Sequence, residues 1–154
     1  MSVLPETELG RAALAAHAAR LKHDLGKYVA LQQRWLGPDP DIAALRDALA
    51  SDVLSTRRGP AGTVDALTVW AEFRPALVGE VEVADGVRVD LSDDEEFRAV
   101  DEAMDVLSRS AAALRHGAAD DEVIREGHRA ALRVADGCRA LERRLGSWAR
   151  RVDG

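Results

Sequence analysis

The residues best placed to do chemistry stand together in one pentapeptide, His23-Asp24-Leu25-Gly26-Lys27. A stripe in a 4,3 spacing, Leu14, Ala18, Leu21, Leu25, Tyr28, Gln32 and Trp35, sets it in the middle of a long helix. His23 falls on the side away from that stripe and is expected to face out. An outward imidazole beside a carboxylate is a nucleophile with a group able to orient it or take its proton. That is what a phosphoryl acceptor requires. The position suits a solvated surface histidine equally well, so both readings stand at this stage.

Three cations, Arg20, Lys27 and Arg34, share the outer face with His23, as do Ala12, Ala16, Ala19, Gly26 and Ala30. Small residues let a partner approach the backbone closely. The cations favour an acidic partner.

With its His-Asp-Leu run, this arrangement resembles two families. Histidine phosphotransfer domains are helical bundles that present one histidine to the acidic site of a receiver domain. Sensor-kinase dimerisation domains carry a histidine, an acid and a leucine in sequence. The resemblance implies His23 as acceptor, Asp24 as the group that orients it or takes its proton, and Lys27 as the cation beside the phosphoryl oxygens. The order Gly26-Lys27 departs from the phosphotransfer pattern, which has lysine before glycine. The pentapeptide is also similar to the metal-binding His-Asp-x-Gly-Lys of HD-domain phosphohydrolases. That family needs a second histidine well upstream; His17 is too close, and His23 is expected to face away from the core.

Arg57-Arg58-Gly59-Pro60-Ala61-Gly62-Thr63 places two arginines before a helix start, a combination able to bind a phosphate or carboxylate. The bland alternative is a basic connecting loop. His17, His116 and His128 show no metal-binding spacing, and no paired-cysteine motif exists. His17 is expected to pack at the edge of the seam, and His116 to sit in the last turn of its helix. Cys138 falls on a helix seam as a core thiol. No metal, nucleotide or nucleophile motif of high specificity points to an enzyme, and no cofactor is expected.

The elements that must position these residues read as five helices. The first spans roughly 6–36 and stops at Gly37-Pro38. Asp39 and Pro40 open the second, with Ile42, Leu45, Leu49 and Val53 inward. After a loop over 55–62, Thr63 caps the third, with Val64, Leu67, Trp70 and Phe73 inward and Pro75 ending it. Residues 81–91 alternate as a small β-hairpin. A three-residue loop with Gly86 left-handed would pair Val83 with Val87 and Glu82 with Arg88. Ser92-Asp93-Asp94-Glu95 reads as a capping box for the fourth helix, whose seam is Phe97, Val100, Met104, Leu107, Ala111 and Leu114. Gly117 ends it, and Asp120, Asp121 and Glu122 open the fifth. Ile124, Gly127, Ala131, Val134, Cys138, Leu141, Leu145 and Trp148 line that last helix. The expectation is an all-α, antiparallel four- or five-helix bundle, one domain over 1–154, with a hairpin inserted near 81–91.

Composition bounds the rest. The chain has 154 residues, 47% of them hydrophobic, enough for one packed core. A net charge of −6 argues against nonspecific nucleic-acid binding, which rests on clustered cations. One cysteine excludes an internal disulfide. No apolar run is long enough to span a membrane, and the N-terminus lacks a secretory pattern, so a cytoplasmic, bacterial-type protein is expected. Arginines crowd the fifth helix and acids crowd 80–105, two patches that attract each other or lace their own helices. Partners are an acidic protein such as a receiver domain, or a second copy of the chain.

Overall fold

A computed structural model describes residues 5, 7–27, 39–50, 55–59, 62–84 and 86–150. The protein is mostly helical. Its elements are α1 (Glu8–Leu21), a π-helical turn (Lys22–Lys27), α2 (Ile42–Ala50), β1 (Ser55–Gly59), β2 (Gly62–Asp65), α3 (Ala66–Leu77), α4 (Glu95–Arg115) and α5 (Asp121–Arg150). No helix among the described residues is long and apolar enough to cross a membrane.

The core is the seam the periodicity picks out. Phe97, Val100, Met104, Leu107 and Ala111 of α4 are buried against Ala131, Val134, Cys138, Leu141 and Leu145 of α5. Leu14, Ala18, Leu21 and Leu25 close over them from the α1 side. At 30 residues α5 extends for about 45 Å. It packs against α1, the π turn, α2 and α4.

Helices α4 and α5 run antiparallel. At one end Ser110 Oγ donates to the Val123 carbonyl. At the other, Arg144 of α5 pairs with Asp94 and Glu96 at the head of α4. Between these ends Gly137 lets α5 approach α4 closely, because a Cβ there would overlap the Val100 Cγ2 methyl. The turn joining the helices is a Schellman motif: Ala118 N–H reaches the Ala113 carbonyl at 2.8 Å and Gly117 N–H reaches Leu114. Gly117 takes the left-handed conformation the motif needs, with φ 70°. Asp120 Oδ1 accepts the Val123 N–H and caps α5.

Local departures from the sequence expectations have local causes. Helix α1 does not run on as a regular helix: α geometry ends at Leu21 and a π turn takes over through Lys27. Asp24 and Gly26, two weak helix formers, fall in that turn. The expected continuation over 28–36, with Tyr28, Ala30, Gln32, Arg34 and Trp35, lies outside the described residues. The cap of α2 is Asp41, whose Oδ1 accepts the Ala44 N–H at 2.8 Å, rather than Asp39. Pro40 then precedes the helix instead of opening it. Leu45 is buried as expected.

The loop expected over 55–62 is a paired hairpin. Arg57 lies opposite Val64 and Arg58 opposite Thr63, with a bulge between Ser55 and Arg57. Thr63 and Val64 therefore belong to β2, and α3 starts only at Ala66. Pairing across Gly59 and Gly62 satisfies backbone groups a loop would leave to water.

Pro75 lies inside α3, which continues to Leu77. Its carbonyl accepts the N–H groups of Glu80 and Val81, so the chain closes a further turn after the proline. Among the described residues of 81–91 no strand forms; Ala84 and Val87 make an isolated bridge. Gly86 is left-handed at φ 73°, but the expected Glu82–Arg88 pair does not form. Glu82 accepts the Gly86 N–H and Arg88 donates to the Gly79 carbonyl, so both charges are used on the backbone. The head of α4 is capped by Asp94, whose Oδ1 accepts the Phe97 N–H at 3.0 Å. Ser92, expected to cap it, turns to Asp90 instead.

Candidate functional site

His23 occupies the second position of the π turn and is exposed. A π turn widens the helical ring by one residue, a rare feature that recurs at functional positions in proteins. Leu21 and Leu25 on either side of His23 are completely buried. The turn is thus pinned on its inner side by two leucines and offers the histidine on its outer side. Asp24, next in sequence, is half-buried.

The neighbouring cations are placed in three ways. The Arg20 guanidinium lies over the Phe73 ring, 5.9 Å from its centroid. Lys22 Nζ stands 3.7 Å from Glu142 Oε2, which ties the π turn to α5. Gly26 and Lys27 are described in backbone only, within the turn; Arg34 lies outside the described residues. Arg57 and Arg58 are carried by β1, whose Cα atoms come within 8 Å of those of the π turn. Sequence reasoning listed these arginines and His23 separately; the fold brings their strand and turn together. Ala12, Ala16 and Ala19 are exposed along α1, as the outer face requires.

His17 sits one stripe away and is half-buried. Its ring lies 4.9 Å from that of Phe73, and Nε2 is buried without a hydrogen-bond partner. Burial lowers the imidazole pKa below 6.5, a hydrogen bond to the Phe73 backbone opposes this, and Arg20 adds to the lowering. The unfolded chain therefore takes up the proton first as pH falls. The neutral ring's contribution to stability is complete above about pH 6.5 and is lost as pH drops from there toward the lowered folded value. His128 is lowered in the same direction by burial and Arg129. His17→Gln is expected to flatten the decline in melting temperature between pH 7.5 and 5.5 by a few degrees in a His128→Gln background. Equal slopes with and without His17 would assign the decline to other groups.

One cluster that sequence reasoning missed joins α3 to α4. Asp101 accepts the Trp70 indole N–H at 3.1 Å and two bonds from Arg74, at 2.9 and 3.1 Å. This pairing, foremost the hydrogen bond, holds the Arg74 guanidinium above its ordinary pKa. Trp70 and Arg74 are one helical turn apart, which is visible in sequence; their shared acceptor, on another helix, is not. Beyond Asp101 an open groove of about 810 Å³ runs past Glu102, Asp105, Arg109 and Arg133. Three acids and two arginines line it, and Arg109 pairs with Asp105.

The charge patches on α4 and α5 meet at Arg144, and Arg129 laces its own helix through Glu122. His116 caps the end of α4 rather than lying in its last turn. Cys138 is completely buried, and burial pushes its thiol up to about 12. Among the described residues no three His, Cys, Asp or Glu side chains gather to hold a metal ion. Set against protein-family models, characterised proteins and solved structures, the chain matches none.

Proposed function

We propose that the protein is a small signalling or adaptor module, an antiparallel helical bundle that presents His23 as a phosphoryl acceptor to the acidic site of a receiver domain. The observation that carries this reading is the exposed His23 on a π turn anchored by buried Leu21 and Leu25. In the step, the lone-pair nitrogen of the neutral imidazole attacks the phosphorus of the receiver's aspartyl phosphate. The N–P bond forms as the P–O bond breaks, and the receiver's carboxylate leaves. Asp24 orients the ring, and the basic surroundings offset charge on the phosphoryl oxygens.

Incubation with phosphorylated receiver domains is expected to transfer an acid-labile phosphoryl group to the wild-type chain. Transfer is expected to vanish in His23→Ala while the circular dichroism spectrum is unchanged. Undiminished transfer in that variant would sink the reading. A second reading, a non-catalytic interaction or self-associating module, is favoured by Leu9, which is 75% exposed on the helix that also exposes Ala12, Ala16 and Ala19. Under that reading His23→Gln is silent, and bulky side chains at Ala16 or Ala19 break association.

A further inference from the structure

We propose that an arginine stripe on α5 docks into the acidic hollow at the head of α4 on a second copy of the chain, so that copies join head to tail through opposite charge. The inference stands apart from the His23 reading, because neither surface includes the π turn.

The first surface is the stripe. Arg125, Leu132, Arg139 and Arg143 recur at intervals of seven, seven and four residues, which keeps them on one face of α5 over about 27 Å. All four are exposed, Leu132 by 41%. Among the described residues none pairs with Arg125, Arg139 or Arg143, whereas Arg129 at the edge is held by Glu122. One exposed acid, Asp136, stands among them. A lone surface leucine is ordinary, but this one has unpaired arginines on either side of it.

The second surface is a hollow of about 510 Å³ lined by Asp93, Glu95, Arg98, Ala99 and Glu102. Glu95, Ala99 and Glu102 share one face of α4, at spacings of four and three, and all are exposed. The two surfaces match in reverse. The stripe has three unpaired arginines, one acid and an apolar centre in Leu132. The hollow has three acids, one arginine and an apolar centre in Ala99. Arg98 answers Asp136 as the acids answer the arginines. Complementary potentials of this kind steer encounter and fix register. Single exposed pairs contribute little, so the contact relies on several together and is sensitive to salt.

The stripe cannot reach the hollow of its own copy. α5 packs on α4 at Gly137, against Val100. The four stripe residues lie about 120–160° round the helix from Gly137, on the flank away from α4. A contact between different surfaces on two copies is heterologous, and it closes into a ring or runs on as a chain.

The test is sedimentation of the full chain over a range of concentrations. Association is expected in about 0.01 M salt, and it should weaken at least tenfold in about 0.15 M, as the screening length falls from about 30 Å to about 8 Å. Arg139→Gln with Arg143→Gln strips charge from the stripe; Glu95→Gln with Glu102→Gln strips it from the hollow. Each double variant alone is expected to associate at least tenfold more weakly than wild type. Mixed, the two are expected to form a complex of one copy of each and to stop there, because one keeps its hollow and the other its stripe. A monomer at every concentration in low salt, association indifferent to salt, wild-type association in either double variant, or no complex in the mixture would overturn the docking. Association that survives both double variants and is broken by Ala16→Trp would place the contact on α1 instead. A chain that stays monomeric yet binds polyglutamate through Arg139 and Arg143 would give the stripe to a different acidic partner and overturn the self-docking.

Discussion

Phe97→Ala is expected to lower stability by about 3–5 kcal/mol, a large part of the roughly 5–15 kcal/mol that holds a domain folded. The ring is 1% exposed at the head of α4. Trp70 lies against it with centroids 5.7 Å apart, and the Arg74 guanidinium stands 6.0 Å from its centroid. Its own N–H is held by the Asp94 cap. These neighbours are fixed by other bonds, so they cannot collapse into the space a phenyl ring leaves, and the cavity cost adds to the lost transfer energy. For a chain of this size the loss corresponds to a fall in melting temperature of about 6–20 °C. Urea unfolding followed by tryptophan fluorescence measures it; a loss under about 1 kcal/mol would show that α3 and α4 close up after all.

Asp101→Ala should cost about 2–3 kcal/mol, and the reason is the tryptophan more than the arginine. Trp70 is almost fully buried, and without Asp101 its indole N–H loses its acceptor. Arg74 and Asp101 are each partly exposed, so solvent screens their ion pair and its share is small, about 0.5–1 kcal/mol. Asp101→Asn should recover most of the loss, since an amide oxygen still accepts from the indole. A double-mutant cycle with Arg74→Ala separates the two shares. A coupling energy that accounts for the whole loss would make the ion pair, not the indole, the main term.

Sequence periodicity reaches furthest where one rule acts over many turns. The seams of α4 and α5 repeat long enough that Phe97 through Ala111, and Ile124 through Leu145, are found buried as their spacing demands. The outward position of His23 follows from the same arithmetic, because Leu21 and Leu25 fix the inward side. Short signals that compete with one another fare worse. Four acceptors stand near the head of α4, and which one caps it depends on where the chain leaves Leu91; Asp94 does, and Ser92 does not. Pro75 lacks an N–H and crowds the preceding turn, yet α3 runs two residues past it to Leu77, and the Pro75 carbonyl still accepts from Glu80 and Val81. Arg57 and Arg58 carry no local mark of β structure. That β1 comes near the π turn depends on the path of the whole chain, as does the meeting of Trp70, Arg74 and Asp101.

Cys138, the single thiol of the chain, lies on the α4–α5 seam with no surface exposed. Only the thiolate reacts with alkylating or oxidising reagents, and burial keeps the proton on this sulfur far above neutral pH. Modification must therefore wait for α4 and α5 to part. The protein carries its own clock for that event: the speed at which a small reagent consumes Cys138 counts the openings of the seam, with no label added and no residue changed.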